Sequence, residues 1–156
     1  MTIAVDHALR LELRPFVLPA DLLPNRAARL HGRTTSMLRL GLRHDAALAL
    51  RSVIAGRANH GLPPVANRFL GPTCCRLTIA YERELTQGKT GRRRYRQHAD
   101  PDAIIAAAKP IFDALQDAGL IANDRDLVHV QPVQINDPDG EGWIAVQLWQ
   151  VDKDDQ

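Results

Sequence analysis

Apolar and polar positions first alternate between Leu9 and Arg14, where Leu9, Leu11 and Leu13 are separated by Arg10, Glu12 and Arg14. A period of two predicts a half-buried strand, continuing through Phe16-Val17-Leu18, with Pro15 marking an edge position or a bend. Over residues 34–58 the period lengthens. Leu38, Leu42, Ala46, Ala49, Leu50, Val53 and Ile54 recur at helical spacing, and Arg39, Arg43 and Arg51 fall mostly opposite them. This predicts one long helix, capped by Thr34, Thr35 or Ser36. Leu77, Ile79 and Tyr81 return to alternation and predict a strand over residues 73–83.

A second helix is predicted from Asp100 to Gly119. Asp100 suits the N-cap, Pro101 the first helical position, and Gly119 the stop. Ile104, Ala108, Ile111, Leu115 and Ala118 make its apolar stripe. Pro110 is its flaw: a proline there removes a hydrogen bond, so it kinks the helix or delays its start. Residues 127–135 and 143–151 read as strands around a polar turn at 137–142, which predicts a hairpin. Asp137, Asp139 and Glu141 in that turn are read as turn residues rather than a calcium loop. Residues 19–32, 59–72 and 84–99 read as loops, and 1–7 and 152–156 as disordered ends. The order strand-helix-strand-helix-strand-strand predicts an α+β fold, a small mixed β-sheet with two main helices, as one domain over residues 1–156.

Composition narrows the function classes. No apolar run reaches membrane-spanning length, and the first residues lack the basic-then-apolar pattern of a signal peptide. Cys74 and Cys75 are adjacent, a poor disulfide pair, and no Cys/His zinc spacing exists. They read as reduced residues in a strand of a cytoplasmic protein. There is no P-loop and no nucleophile elbow. The formal net charge of +2 hides an asymmetry. Residues 1–99 hold 17 Lys and Arg against 6 Asp and Glu; residues 100–156 hold 3 against 12. A basic surface next to an acidic site suits an anionic partner.

The candidate chemistry lies where the two halves meet. Along the second helix, Asp102, Lys109 and Asp113 are seven and four residues apart, which returns them to one side, away from the apolar stripe. Asp100 precedes them, and Asn123-Asp124-Arg125-Asp126 follows after Gly119. Clustered carboxylates are hard oxygen ligands of the kind that hold Mg²⁺ or Mn²⁺. A lysine beside them can stabilise developing negative charge. Just upstream, Lys89 to Arg96 places five cations in eight residues. Each feature also has a plainer reading: Asp-Pro-Asp as a helix cap, Asn-Asp-Arg-Asp as a polar turn, the arginines as solvated surface.

Taken together, these residues resemble the core motif of RusA-type Holliday junction resolvases. The motif is a basic run, Asp-x-Asp, a helical Lys, Asp-Ala-Leu, Ala-Gly and a polar-Asp step. It reads here as Arg92-Arg93-Arg94, Asp100-Pro101-Asp102, Lys109, Asp113-Ala114-Leu115, Ala118-Gly119 and Asn123-Asp124. Pro24-Asn25-Arg26 after the first strand adds to the likeness. There are departures. Ala103 and Asn123 stand where the family commonly has Asn and Asp, the gap from Asp102 to Lys109 is three residues longer, and Tyr95 to Ala99 separate the basic run from Asp100. The resemblance implies a Mg²⁺-dependent (or Mn²⁺-dependent) endonuclease that acts on four-way DNA junctions as a homodimer, in recombination and repair. It implies Asp100, Asp102 and Asp124 as metal ligands, Lys109 as the stabilising cation and Asp113 as its helper. Arg92, Arg93, Arg94, Arg96, Asn25, Arg26 and Arg29 would contact the DNA. Two alternatives stay open: a catalytically silent or loosely specific branched-DNA-binding dimer, and an interaction domain whose aspartates only cap.

Overall fold

The most fully buried strand lies inside the sheet. In Thr73–Tyr81 the only charged residue is Arg76, the only one not buried, so this strand (β2) is covered on both faces. A computed structural model describes residues 8–27, 30–62, 69–85 and 93–151 of the chain. Around β2 it places β1 (Leu9–Leu13), β5 (Leu127–Asn136) and β6 (Trp143–Gln150) in the order β1-β6-β2-β5. β5 runs parallel to β2, whereas β6 lies antiparallel to both β2 and β1. The fold is α+β with a four-stranded mixed sheet. β1 is an edge strand, and it ends at Leu13 instead of running on to Leu18.

The helices cover one sheet face. Leu9, Leu11 and Leu13 of β1, Cys75, Leu77 and Ile79 of β2, and Ile144, Val146 and Leu148 of β6 share one buried core with the helices. The long helix α2 (Gly32–Asn59) contributes Leu42, Ala46 and Leu50. It begins two residues before the predicted caps. His31 is the N-cap, and its Nδ1 accepts the Arg33 N–H at 3.2 Å. On the other face Ala80, Trp143 and Ala145 form a smaller cluster, and the Arg10 and Arg14 guanidiniums lie 5.8 and 4.4 Å from the Trp143 ring centre. Both cysteines are buried and free, and burial pushes the Cys75 thiol up to about 12.

Pro110 divides the second helix. α3 (Pro101–Ala107) ends where the Ala108 N–H reaches the Ile104 carbonyl, and α4 (Lys109–Asp117) starts anew with Pro110 in its first turn. Proline has no N–H to give to the carbonyl four residues back, so the break falls at Ala108. Two predicted loops carry structure: a four-residue helix α1 (Pro24–Ala27), and a ribbon in which β3 (Arg83–Leu85) pairs with β4 (Arg93–Tyr95).

The predicted hairpin of the last two strands is corrected. β5 and β6 are not neighbours, because β2 lies between them. Residues 137–142 therefore step across the end of β2, a span of two strand spacings or about 9.6 Å. Asp137 makes the step possible. Its N–H donates to the Tyr81 carbonyl at the end of β2, and its buried carboxylate accepts the N–H groups of Asp139, Glu141 and Gly142 at 3.0–3.1 Å. Burial pushes this carboxyl up, but the three N–H donors hold it below the ordinary carboxylate value. The turn reading of this acidic stretch therefore holds, with Asp137 as its centre.

Candidate active site

Lys109 opens α4, and Asp113 lies one turn on, so both face the same side. After α4 the chain reverses at Gly119, whose φ of +75° is a left-handed conformation that glycine adopts without strain. The Leu120 N–H closes on the Leu115 carbonyl at 3.0 Å, and Leu120 and Ile121 are buried. Asn123 then caps a 3₁₀ turn, Asp124–Asp126, by accepting the Arg125 N–H at 3.0 Å. This reversal returns Asp124 to Lys109, fifteen residues away. The Lys109 Nζ donates to Asp124 Oδ2 at 2.5 Å and to Asp113 Oδ1 at 3.3 Å.

The charge state of the cluster follows. The hydrogen bond to Asp124 raises the Lys109 pKa, and the same bond lowers that of Asp124. Lys109 is therefore an ammonium at neutral pH and no proton acceptor; its chemical use is to hold negative charge. Its side chain is 61% exposed, so the pair adds little to stability and leaves the cation open to a ligand.

Asp100 is the N-cap of α3, but its side chain makes no capping hydrogen bond. Asp102 lies in the first turn, and both are exposed. The plain capping reading therefore leaves the Asp100 carboxylate unused. The backbone just before it is held firmly. The Gln134 side chain accepts the Ala99 N–H at 2.9 Å and donates to the Ala99 carbonyl at 2.7 Å. The Tyr81 hydroxyl donates to the same Gln134 at 2.5 Å, and His98 stacks on Tyr81 with Nε2 3.0 Å from Asn136. The sequence pattern marked Tyr81 only as a strand residue and gave Gln134 no role; only the fold makes them the mounting of α3.

The fold thus brings together Lys109, Asp113 and Asp124. It leaves Asp100 and Asp102 at the start of α3, with no hydrogen bond or ion pair to that cluster among the described residues. Among the described residues no group of three or more His, Cys, Asp or Glu is placed to share an ion. In donor type the aspartates suit a hard divalent cation. Asp100 and Asp102 are exposed, with no side-chain partner among the described residues, whereas Asp124 would have to exchange its bond to Lys109.

The basic residues divide as well. Arg96 is not a surface cation: its side chain is 9% exposed, pairs with Glu82 at 3.5 Å, donates to the Leu18 carbonyl at 3.0 Å and lies over Tyr81. Arg26 is exposed. Arg29 and Arg92, and the side chains of Asn25, Arg93 and Arg94, lie outside the described residues.

A second acidic anchor, absent from the motif, joins α2 to α4. Arg43 donates to both oxygens of Asp117 at 2.6 and 2.7 Å, and Arg51 donates to the Asp117 carbonyl at 3.1 Å. The bond to Arg43 lowers the Asp117 pKa. A lowered folded pKa contributes stability above the ordinary carboxylate value and loses it as pH falls through the folded one. The stability gap between wild type and Arg43→Ala should therefore narrow as urea unfolding is repeated from neutral pH down to below the carboxylate range. A gap that stays constant with pH would show that the pair contributes nothing through charge.

Among the described residues no helix is long and apolar enough to cross a membrane. No family model matches the chain, and no curated protein matches it.

Proposed function

We propose that this chain is a metal-dependent endonuclease that resolves four-way DNA junctions by paired phosphodiester hydrolysis, working as a homodimer. The observation that carries this reading is the Lys109–Asp113–Asp124 cluster: three motif residues, fifteen positions apart at their extremes, meet in one exposed hydrogen-bonded group. Asp100, Asp102 and Asp124 are the carboxylates that the resemblance assigns to a Mg²⁺ or Mn²⁺ ion; Asp124 would have to leave Lys109 to join the other two, and the ion would supply a polarised phosphodiester and an activated water. Lys109 meets the negative charge that develops on the phosphorus oxygens. Asp113 keeps the ammonium on that side of α4. Gln134 holds Ala99 and so sets where Asp100 begins α3. A two-fold dimer places one such site against each of two strands, which suits paired nicks.

One observation favours a second reading, a catalytically silent or loosely specific branched-DNA-binding dimer. Lys109 already occupies Asp124, and the carboxylates are not gathered in threes among the described residues. Cleavage of a labelled synthetic four-way junction with Mg²⁺, beside a linear duplex of the same arms and an EDTA control, separates the two. Symmetric nicks confined to the junction are expected. Salt-sensitive junction binding with no cleavage in Mg²⁺ or Mn²⁺ would replace the first reading by the second.

The basic run has its own test. Neutralising Arg92, Arg93 and Arg94 together should reduce the slope of log affinity against log salt by about 2.7, if each arginine neutralises one phosphate. An unchanged slope would place the run off the DNA path.

A further inference from the structure

Between Ala20–Arg26 and Tyr95–Ala99 lies a cavity of about 460 Å³. Its last lining residue, Ala99, is followed by Asp100 and the start of α3. Ala20 and Leu23 give it an apolar wall, and Arg26, Arg96, Gln97 and His98 a polar one. Among the described residues no carboxylate lines it. Arg26 is exposed and has no ion-pair or hydrogen-bond partner for its side chain among the described residues. Arg96 is nine-tenths buried, and its Nε has no partner there. Gln97 is exposed and offers both a donor and an acceptor. His98 is engaged through Nε2 by Asn136.

We infer that this cavity is a subsite for one unpaired nucleotide of the DNA strand, an inference that rests on the nuclease reading above. The volume lies in the range of small-ligand pockets, far more than a bare anion fills. A nucleotide combines a phosphate anion, a flat apolar base and a hydrogen-bonding base edge. Arg26, the Ala20–Leu23 wall and the Gln97 amide answer these three parts. A base inside a duplex is stacked and paired and cannot enter; one at a branch point enters at low cost. A nucleotide seated here presents its neighbouring phosphodiester to the start of α3, where Asp100 and Asp102 stand.

The test is an NMR titration of the ¹⁵N-labelled full chain with thymidine 5′-monophosphate, with inorganic phosphate and thymidine as separate arms. The monophosphate should shift the amides of Ala20, Leu23, Arg26 and residues 95–99 and bind at least about tenfold tighter than either part alone. Arg26→Ala, which removes one charge-assisted bond, should weaken it about tenfold, and Gln97→Leu should weaken it less. Phosphate binding as tightly as the monophosphate would reduce the cavity to an anion site and overturn the inference, as would an absence of shifts at these residues. The readout needs no cleavage. Junction cleavage without monophosphate binding removes the subsite and keeps the nuclease. Localised monophosphate binding without junction cleavage keeps the nucleotide subsite and removes the nuclease.

Discussion

Lys109→Ala should slow junction cleavage by roughly 10²–10³-fold while leaving junction affinity within a few-fold. The size follows from the role. The ammonium stays charged at neutral pH, held by Asp124 at 2.5 Å and Asp113 at 3.3 Å, so it acts on charge that develops in the transition state. A cation used that way affects rate more than binding. Asp113→Asn keeps the cation and loosens one of its two tethers, so its loss should be smaller. The side chain of Lys109 is 61% exposed, so Lys109→Ala should leave the melting temperature nearly unchanged, and a slow variant cannot be dismissed as an unfolded one. Single-turnover cleavage of the four-way junction is the measurement. A wild-type rate in Lys109→Ala would take the cluster out of the chemistry, whatever the chain does to DNA.

The largest stability loss from a single added methyl is expected at Gly142. Its φ is +86°, and a Cβ there would lie 3.2 Å from Val17 Cγ2, 3.3 Å from Glu82 Cβ and 3.4 Å from the Ala80 carbonyl oxygen. The backbone conformation alone costs a non-glycine residue about 1–3 kcal/mol. Crowding against a backbone carbonyl and two neighbouring side chains adds to this, because the Gly142 N–H is fixed on the Asp137 carboxylate and cannot shift without loosening the step over β2. Gly142→Ala should therefore lose about 3 kcal/mol, a fall in Tm of roughly 6–12 °C for a chain of this size. Gly119 is the control. Its φ is +75°, but a Cβ there meets nothing within 4 Å, so Gly119→Ala should lose only the backbone part. Equal losses in the two variants would show that the packing around Gly142 contributes nothing.

Much of the site was legible locally. The four-residue spacing put Lys109 and Asp113 on one side, and the i,i+4 contact is there. The polar step after Gly119 forms the capped turn that carries Asp124. Pro110 was read as a kink or a late start, and α4 does start anew beside it. Arg96 shows the opposite case. Within Arg92 to Arg96 its sequence neighbourhood is that of a solvated cation, yet it is tied to Leu18, Tyr81 and Glu82. The partners of a long side chain come from distant segments, and a local pattern carries no record of them.

The same distinction runs through the whole chain. Periodicity, caps and breakers act over three or four residues, so the sequence alone determined the main helices and strands, the α+β class, and the meeting of Lys109 with Asp113. Strand order is a different kind of question. Backbone hydrogen bonds do not distinguish one neighbour from another, so the polar turn at 137–142 fits a hairpin as well as a step across β2. What decides is burial. β2 has apolar residues for both faces and takes the centre, and β5 and β6 are left on either side of it. Only that arrangement places Gln134 against Ala99 and turns Asp137 inward.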